Sequence, residues 1–110
     1  YKKGQNRLSD EIIGYFERYY NENITIETLS KKFFVSSAHL IRQFKKESGY
    51  TPYEYLTLIR VTKACRLLEY TDMSVSEIAD CVGIHNTSRF IEKFKAVTSL
   101  TPVVYRKTHI

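Results

Sequence analysis

The chain contains one segment twice, and this duplication limits what it can fold into. Shifted by 50 positions, residues 40–55 align with residues 90–105, with identities at Ile41/Ile91, Phe44/Phe94, Lys45/Lys95, Thr51/Thr101, Pro52/Pro102 and Tyr55/Tyr105. Just upstream the shift becomes 49, pairing Leu29 with Ile78 and Val35 with Ile84. Six identities in sixteen positions, with matching helix starts and stops, mark two copies of one unit. A chain of 110 residues has room for one compact body, or for two small ones that share an element.

The candidate for a shared element is the stretch between the copies, residues 51–70. Thr51 is placed to cap a helix, Pro52 sits at the first helical position where its missing N–H costs nothing, and Glu54 can close a capping box. No Gly or Pro follows before Tyr70. At about 100° per residue, Tyr55, Leu56 and Ile59 fall on one side, and Val61, Ala64, Cys65 and Leu68 on roughly the other. The apolar stripe thus changes sides partway. A helix of about 19 residues is about 28 Å long at about 1.5 Å per residue, so each half can bury its stripe in a different body. We read residues 8–50 as a first subdomain, 51–70 as a linker helix and 71–110 as a second subdomain. A single buried core helix is the competing reading of 51–70.

Within each copy the helix signals are local. Residues 8–20 carry the stripe Ile12, Ile13, Phe16 and Tyr20. Thr25 caps a short helix running to about Phe34, with Ile24 and Leu29 as a hydrophobic staple. Ser36 caps the next helix, and Gly49 stops it by taking the left-handed conformation cheaply. In the second copy Ser74 and Glu77 form a capping box, Gly83 ends that helix, Asn86 caps the helix holding Phe90 and Phe94, and Thr101-Pro102 opens a final short one ending near Lys107. No long β-alternation appears, so the fold class is all-α, with about seven helices.

Bulk features remove several function classes. A composition that is 43% hydrophobic and 26% charged argues against disorder. There is no run of 18 apolar residues and no signal-peptide order at the N-terminus, which predicts a cytoplasmic segment without membrane contact. The chain opens at Tyr1 without Met, and the polar residues 1–7 read as the tail of a linker from an upstream domain. Cys65 and Cys81 are read as buried reduced thiols. His39, His85 and His109 are scattered singly and no Gly-rich phosphate loop occurs, so we expect neither a metal, nor a cofactor, nor an enzyme.

Charge points to a polyanion. The net charge of +5 is distributed as −1 over residues 1–30, +5 over 31–69 and +1 over 70–110. A central basic excess of this kind suits nucleic acid, although a solvated charged face has the same composition.

Each copy reads as a helix, a short turn and a longer helix, the helix-turn-helix arrangement. The longer helix of copy one turns Leu40, Phe44 and the stem of Glu47 inward and Ala38, Arg42, Lys45 and Lys46 outward. Copy two turns Phe90, Phe94 and Val97 inward and Ser88, Arg89, Glu92 and Lys95 outward. Those outward sets suit a major groove: Arg42 can bond a guanine edge through two donors, and small Ala38 permits close approach or a thymine-methyl contact. His39, Lys45, Lys46, Lys93 and Lys95 suit phosphates, as do the helix starts at Ser36 with Ser37 and at Asn86 with Thr87. Ile41 and Ile91 lie on the boundary between core and groove. Glu92 either accepts from a cytosine amino group or repels nearby phosphates. With the +5 against +1 split, we expect the first unit to dominate affinity.

Taken together, Val35-Ser36, His39-Leu40, Phe44-Lys45-Lys46 and Gly49, then Tyr55-Leu56, Arg60, Ala64 and Leu67-Leu68, then Ile78-Ala79, Val82-Gly83, Asn86, Ser88, Phe90, Phe94-Lys95, Thr101-Pro102 and Tyr105-Arg106 resemble the DNA-binding domain of the AraC/XylS family of bacterial transcription regulators. The resemblance covers about residues 8–106. It implies two helix-turn-helix units joined by a linker helix, with recognition helices entering successive major grooves of double-stranded DNA. The positions matching the family's base contacts are Ala38, Ile41 and Arg42, then Ser88, Arg89 and Glu92. It further implies transcription regulation, chiefly activation, an upstream regulatory domain and RNA polymerase as a further partner. Ser30 stands where the family usually has Ala, Ile84 where it has Phe and Ser99 where it has Gly. A helical protein-interaction module and a non-specific packaging protein are the alternatives, and the unlike polar faces of the two copies argue against packaging.

Overall fold

The computed structural model describes residues 7–109. Seven helices follow in order: α1 (Leu8–Tyr19), α2 (Ile26–Lys32), α3 (Ser37–Ser48), α4 (Pro52–Tyr70), α5 (Val75–Cys81), α6 (Thr87–Thr98) and α7 (Pro102–Thr108). No strand occurs among the described residues. Residues 1–6 of the expected linker tail lie outside the described residues, while Arg7 is the N-cap of α1. The chain divides into two compact units between Leu56 and Thr57, so the boundary falls inside the uninterrupted α4.

Polar side chains start nearly every helix. Thr25, Ser36, Ser74, Asn86 and Thr101 each accept the backbone N–H of the residue three further on. Thr51 accepts from Glu54 N at 3.1 Å while the Glu54 carboxylate accepts from Thr51 N at 2.8 Å, the reciprocal box expected from the sequence. Ser74 and Glu77 repeat it. Each such cap stabilises its helix by about 1 kcal/mol, which lets the 7-residue α2 and α5 persist.

In the first unit Ile12 and Phe16 of α1, Leu29 of α2 and Leu40 and Phe44 of α3 are buried, and Leu56 joins them from the start of α4. The Phe44 ring meets Tyr55 edge-on, centroids 5.9 Å apart. In the second unit Val61, Ala64 and Leu68 of α4 are buried with Ile78, Ala79, Val82, Ile84, Phe90 and Phe94. There Phe94 meets Tyr105 edge-on at 5.4 Å, the same pairing fifty residues on.

Three sequence expectations are corrected. First, α2 ends at Lys32 rather than near Phe34, because Phe34 takes φ 57° and Val35 N turns back to the Ser30 carbonyl at 3.1 Å. The second copy makes the same turn with Gly83 at φ 90° and Ile84 N bonded to the Ala79 carbonyl at 2.9 Å. Second, Val97 is 40% exposed: it stands in the last turn of α6, beyond the cluster that covers Phe94. Third, Cys81 is exposed and Cys65 only half-buried; Cys81 is the last residue of α5, whose buried side is Ile78 and Ala79.

Candidate nucleic-acid interface

Helix α3 is fixed at both ends and along its inner side. The Ser36 hydroxyl accepts His39 N at 3.1 Å, and Gly49, at φ 85°, donates its N–H to the Lys45 carbonyl at 2.8 Å. Leu40 and Phe44 are fully buried and set the rotation of the helix. One turn further the Glu47 carboxylate accepts Ser9 N at 2.8 Å and Gln43 Nε2 at 2.6 Å, which ties α3 to the start of α1. Burial pushes the Glu47 carboxyl up, but the bonds from Gln43 and Ser9 and the charge of Arg7 outweigh it, so its pKa lies below the ordinary value.

With that side anchored, Ala38, His39, Ile41, Arg42, Lys45 and Lys46 are all exposed, and Ser37 is half-buried. No acidic residue occurs between Glu27 and Glu47, so the outer face of α3 carries cations unopposed from its own helix. Lys45 also leans electrostatically on the Glu54 carboxylate, whose pKa is lowered first by its bonds with Thr51. Ile41 is 39% exposed, open enough to touch a ligand, whereas its counterpart Ile91 is half-buried.

Helix α6 repeats the construction with a different outer face. Asn86 Oδ1 accepts Arg89 N at 2.9 Å, Ser99 donates its N–H to the Lys95 carbonyl at 2.8 Å, and Phe90 and Phe94 are fully buried. The Thr87 hydroxyl reaches Ser76 on α5 at 3.4 Å. Ser88, Arg89, Glu92 and Lys95 are exposed, but Lys93 is half-buried, which places it at the margin of this face. Glu92 sets one negative charge among Arg89 and Lys95, so the face is polar and mixed where that of α3 is cationic.

Sequence reasoning passed over Phe34. Its ring is 92% exposed at the turn just before α3. The signal was available in the duplication: at the shift of 49 that pairs Val35 with Ile84, Phe34 is opposite Gly83. Among the described residues no group of three or more His, Cys, Asp or Glu is placed to hold a metal ion, and no helix is long and apolar enough to cross a membrane.

Known proteins share this arrangement. A helix-turn-helix domain family matches residues 29–108. A bifunctional transcriptional activator and DNA repair enzyme, AdaA of Bacillus subtilis, is 38% identical over 98 residues, covering 89% of this chain and 46% of that protein. The C-terminal domain of AraT, a response regulator from Geobacillus stearothermophilus, superposes with a TM-score of 0.91 at 28% identity over 98% of this chain and 90% of its own. The DNA-binding domain of the global transcriptional factor AdpA, solved in complex with a target DNA, superposes with a TM-score of 0.86 at 27% identity, over 94% of this chain and 93% of its own. The chain therefore spans less than half the length of this curated relative.

Proposed function

This chain belongs to the AraC-type helix-turn-helix family of transcription regulators, and we propose that it binds double-stranded DNA sequence-specifically through α3 and α6, each entering a major groove. The observation that carries the proposal is the contrast within the duplication. Side-chain caps, left-handed stops and the buried Phe44 and Phe94 recur at matching positions, while the outward side chains, Lys45 and Lys95 apart, differ between copies. A scaffold that is copied and an outer face that is not suit the reading of two unlike short sequences.

In this reading Arg42 bonds a guanine edge, Ala38 and Ile41 approach thymine methyls, and Ser88, Arg89 and Glu92 read the second half-site. His39, Lys45, Lys46 and Lys95 hold phosphates, with Lys93 at the edge. The helix starts at Ser36, Ser37, Asn86 and Thr87 add backbone N–H groups to the phosphates. In this proposal the chain regulates transcription in the bacterial cytoplasm, chiefly by activation, with an upstream regulatory domain and RNA polymerase as further partners.

Selection from a random duplex pool, followed by footprinting, tests the proposal. The expected site is asymmetric and on the order of 20 bp, two helical turns of about 10 bp each, bound with an affinity that falls steeply with salt through counterion release. Protection of a single short box, or of a palindrome, contradicts the tandem arrangement. A shallow salt dependence without sequence preference would instead favour a protein-interaction module.

A further inference from the structure

Phe34 is placed at a double disadvantage. Its backbone lies in the left-handed region at φ 57°, where a Cβ crowds the neighbouring carbonyl, and its ring is 92% exposed to water. The second copy makes the same turn with Gly83 at φ 90°, with no Cβ and no apolar surface. The aromatic that the first unit's packing uses is the neighbour, Phe33, whose ring lies edge-on to Tyr15 with centroids 6.3 Å apart. Packing therefore gives no reason for a second Phe here, and a strained residue that the fold does not need is a pointer to function.

The surroundings of the ring identify what meets it. Lys31 and Lys32 precede it and are exposed, the Lys32 ammonium lying over the Tyr15 ring at 5.1 Å; Ser36 caps α3 two residues later, and His39 is exposed one turn into that helix. No carboxylate occurs anywhere between Glu27 and Glu47. Two residues of chain reach at most about 7 Å, so the ring is confined to the neighbourhood of the N-terminal end of α3, the end that meets base edges in helix-turn-helix complexes. An exposed apolar ring on a stretch of chain that carries cations and no carboxylate fits a polyanion whose chain also offers apolar surface.

We propose that Phe34 packs its ring against a deoxyribose of the strand bordering the groove that α3 enters, an apolar contact made only by the first unit. The inference rests on the reading of α3 as a groove-binding helix. It adds a source of asymmetry between the half-sites that the recognition helices alone do not supply.

The test measures binding of the selected duplex by fluorescence anisotropy across a salt series, with thermal midpoints of the free proteins alongside. Phe34→Ala keeps a Cβ, and hence the backbone strain, while removing the ring. It is expected to bind on the order of fivefold more weakly, as for loss of one partly buried ring face. The slope of log affinity against log salt should not change, because no counterion is released by the ring. Phe34→Gly should lose the same affinity while its thermal midpoint rises, and Phe34→Leu should retain most of the binding. Wild-type affinity for Phe34→Ala overturns the inference and leaves the ring to a protein contact, and so does a weakened affinity accompanied by a shallower salt slope. Arg42→Ala on the same duplex is the control: if it too binds like the wild type, the groove reading of α3 has failed, a result separate from failure at Phe34 alone.

Discussion

Gly49 and Ser99, fifty positions apart, hold one backbone conformation: φ is 85° at the first and 69° at the second, and each donates its N–H to a carbonyl four residues back, Lys45 or Lys95, at 2.8 Å. The preceding hydroxyls match as well. Ser48 Oγ donates to the Phe44 carbonyl and accepts Tyr50 N, and Thr98 Oγ1 does the same with Phe94 and Leu100. At the left-handed position the first copy has Gly, and there the second copy carries a Cβ.

That difference has a measurable cost. Ser99→Gly is expected to raise the urea midpoint by an amount equal to about 0.5–1 kcal/mol, since glycine takes this conformation without crowding. The reverse change, Gly49→Ala, should cost about 1 kcal/mol. A Cβ at Gly49 meets nothing within 4 Å, so the loss comes from the backbone alone.

Glu47 links stability to acid. Its folded pKa lies below the ordinary carboxyl value despite burial, through the bonds from Gln43 and Ser9 and the nearby Arg7. A depressed carboxyl pKa stabilises the fold above the unfolded value, about 4.3, and that contribution disappears as pH falls through the folded value. Glu47→Gln should therefore lower stability at pH 7 by about 1 kcal/mol and flatten the decline in urea midpoint below about pH 4.5. An unchanged acid profile would remove Glu47 from the link between α1 and α3.

Tyr105 acts at the other end of the scale. Its hydroxyl donates to Glu69 Oε2 at 2.6 Å, and this bond, with burial and the Cys65 thiol, pushes the phenol well above its usual pKa. A raised folded pKa contributes stability that is complete below the unfolded value, about 10, and is lost as pH rises through the folded one. In a spectrophotometric titration one phenol should ionise later than the rest while the protein stays folded, and Tyr105→Phe should remove that phase. The same substitution should cost about 1 kcal/mol at pH 7 by leaving Glu69 without its donor.

Much of this was legible in the chain. Caps are local, so Ser36, Thr51, Ser74, Asn86 and Thr101 announced their helices, and the repeat named Leu40, Phe44, Phe90 and Phe94 as the buried faces. The misses have physical causes. Val97 and Cys81 have core-like chemistry and spacing, but each lies in the last turn of a helix, where burial depends on what packs there. The end of α2 was misplaced because Phe34 is not the residue that normally marks a left-handed turn. The outward residues of the two recognition helices were assigned by helical angle, which the buried aromatics do fix, yet angle could not show Lys93 withdrawn to the edge of its face.

The two units should contribute unequally to binding. Arg42→Ala is expected to cost about 1–3 kcal/mol on the selected duplex, as for a lost bidentate guanine contact. Arg89→Ala should cost less, because Glu92 already weakens the field of α6. A larger loss for Arg89→Ala reverses the ordering. Lys46→Ala should lower affinity on all duplexes alike and reduce the salt slope by about one.

Because Leu40 and Phe44, like Phe90 and Phe94, are wholly enclosed while every residue assigned to base recognition is open to solvent, the chain keeps its architecture and its vocabulary on separate side chains. The vocabulary can then drift without endangering the architecture. Replacing Ser88, Arg89 and Glu92 by Ala, His and Arg, the residues at Ala38, His39 and Arg42 fifty positions earlier, with Ile91 already matching Ile41, should yield a folded protein that recognises the same half-site word twice.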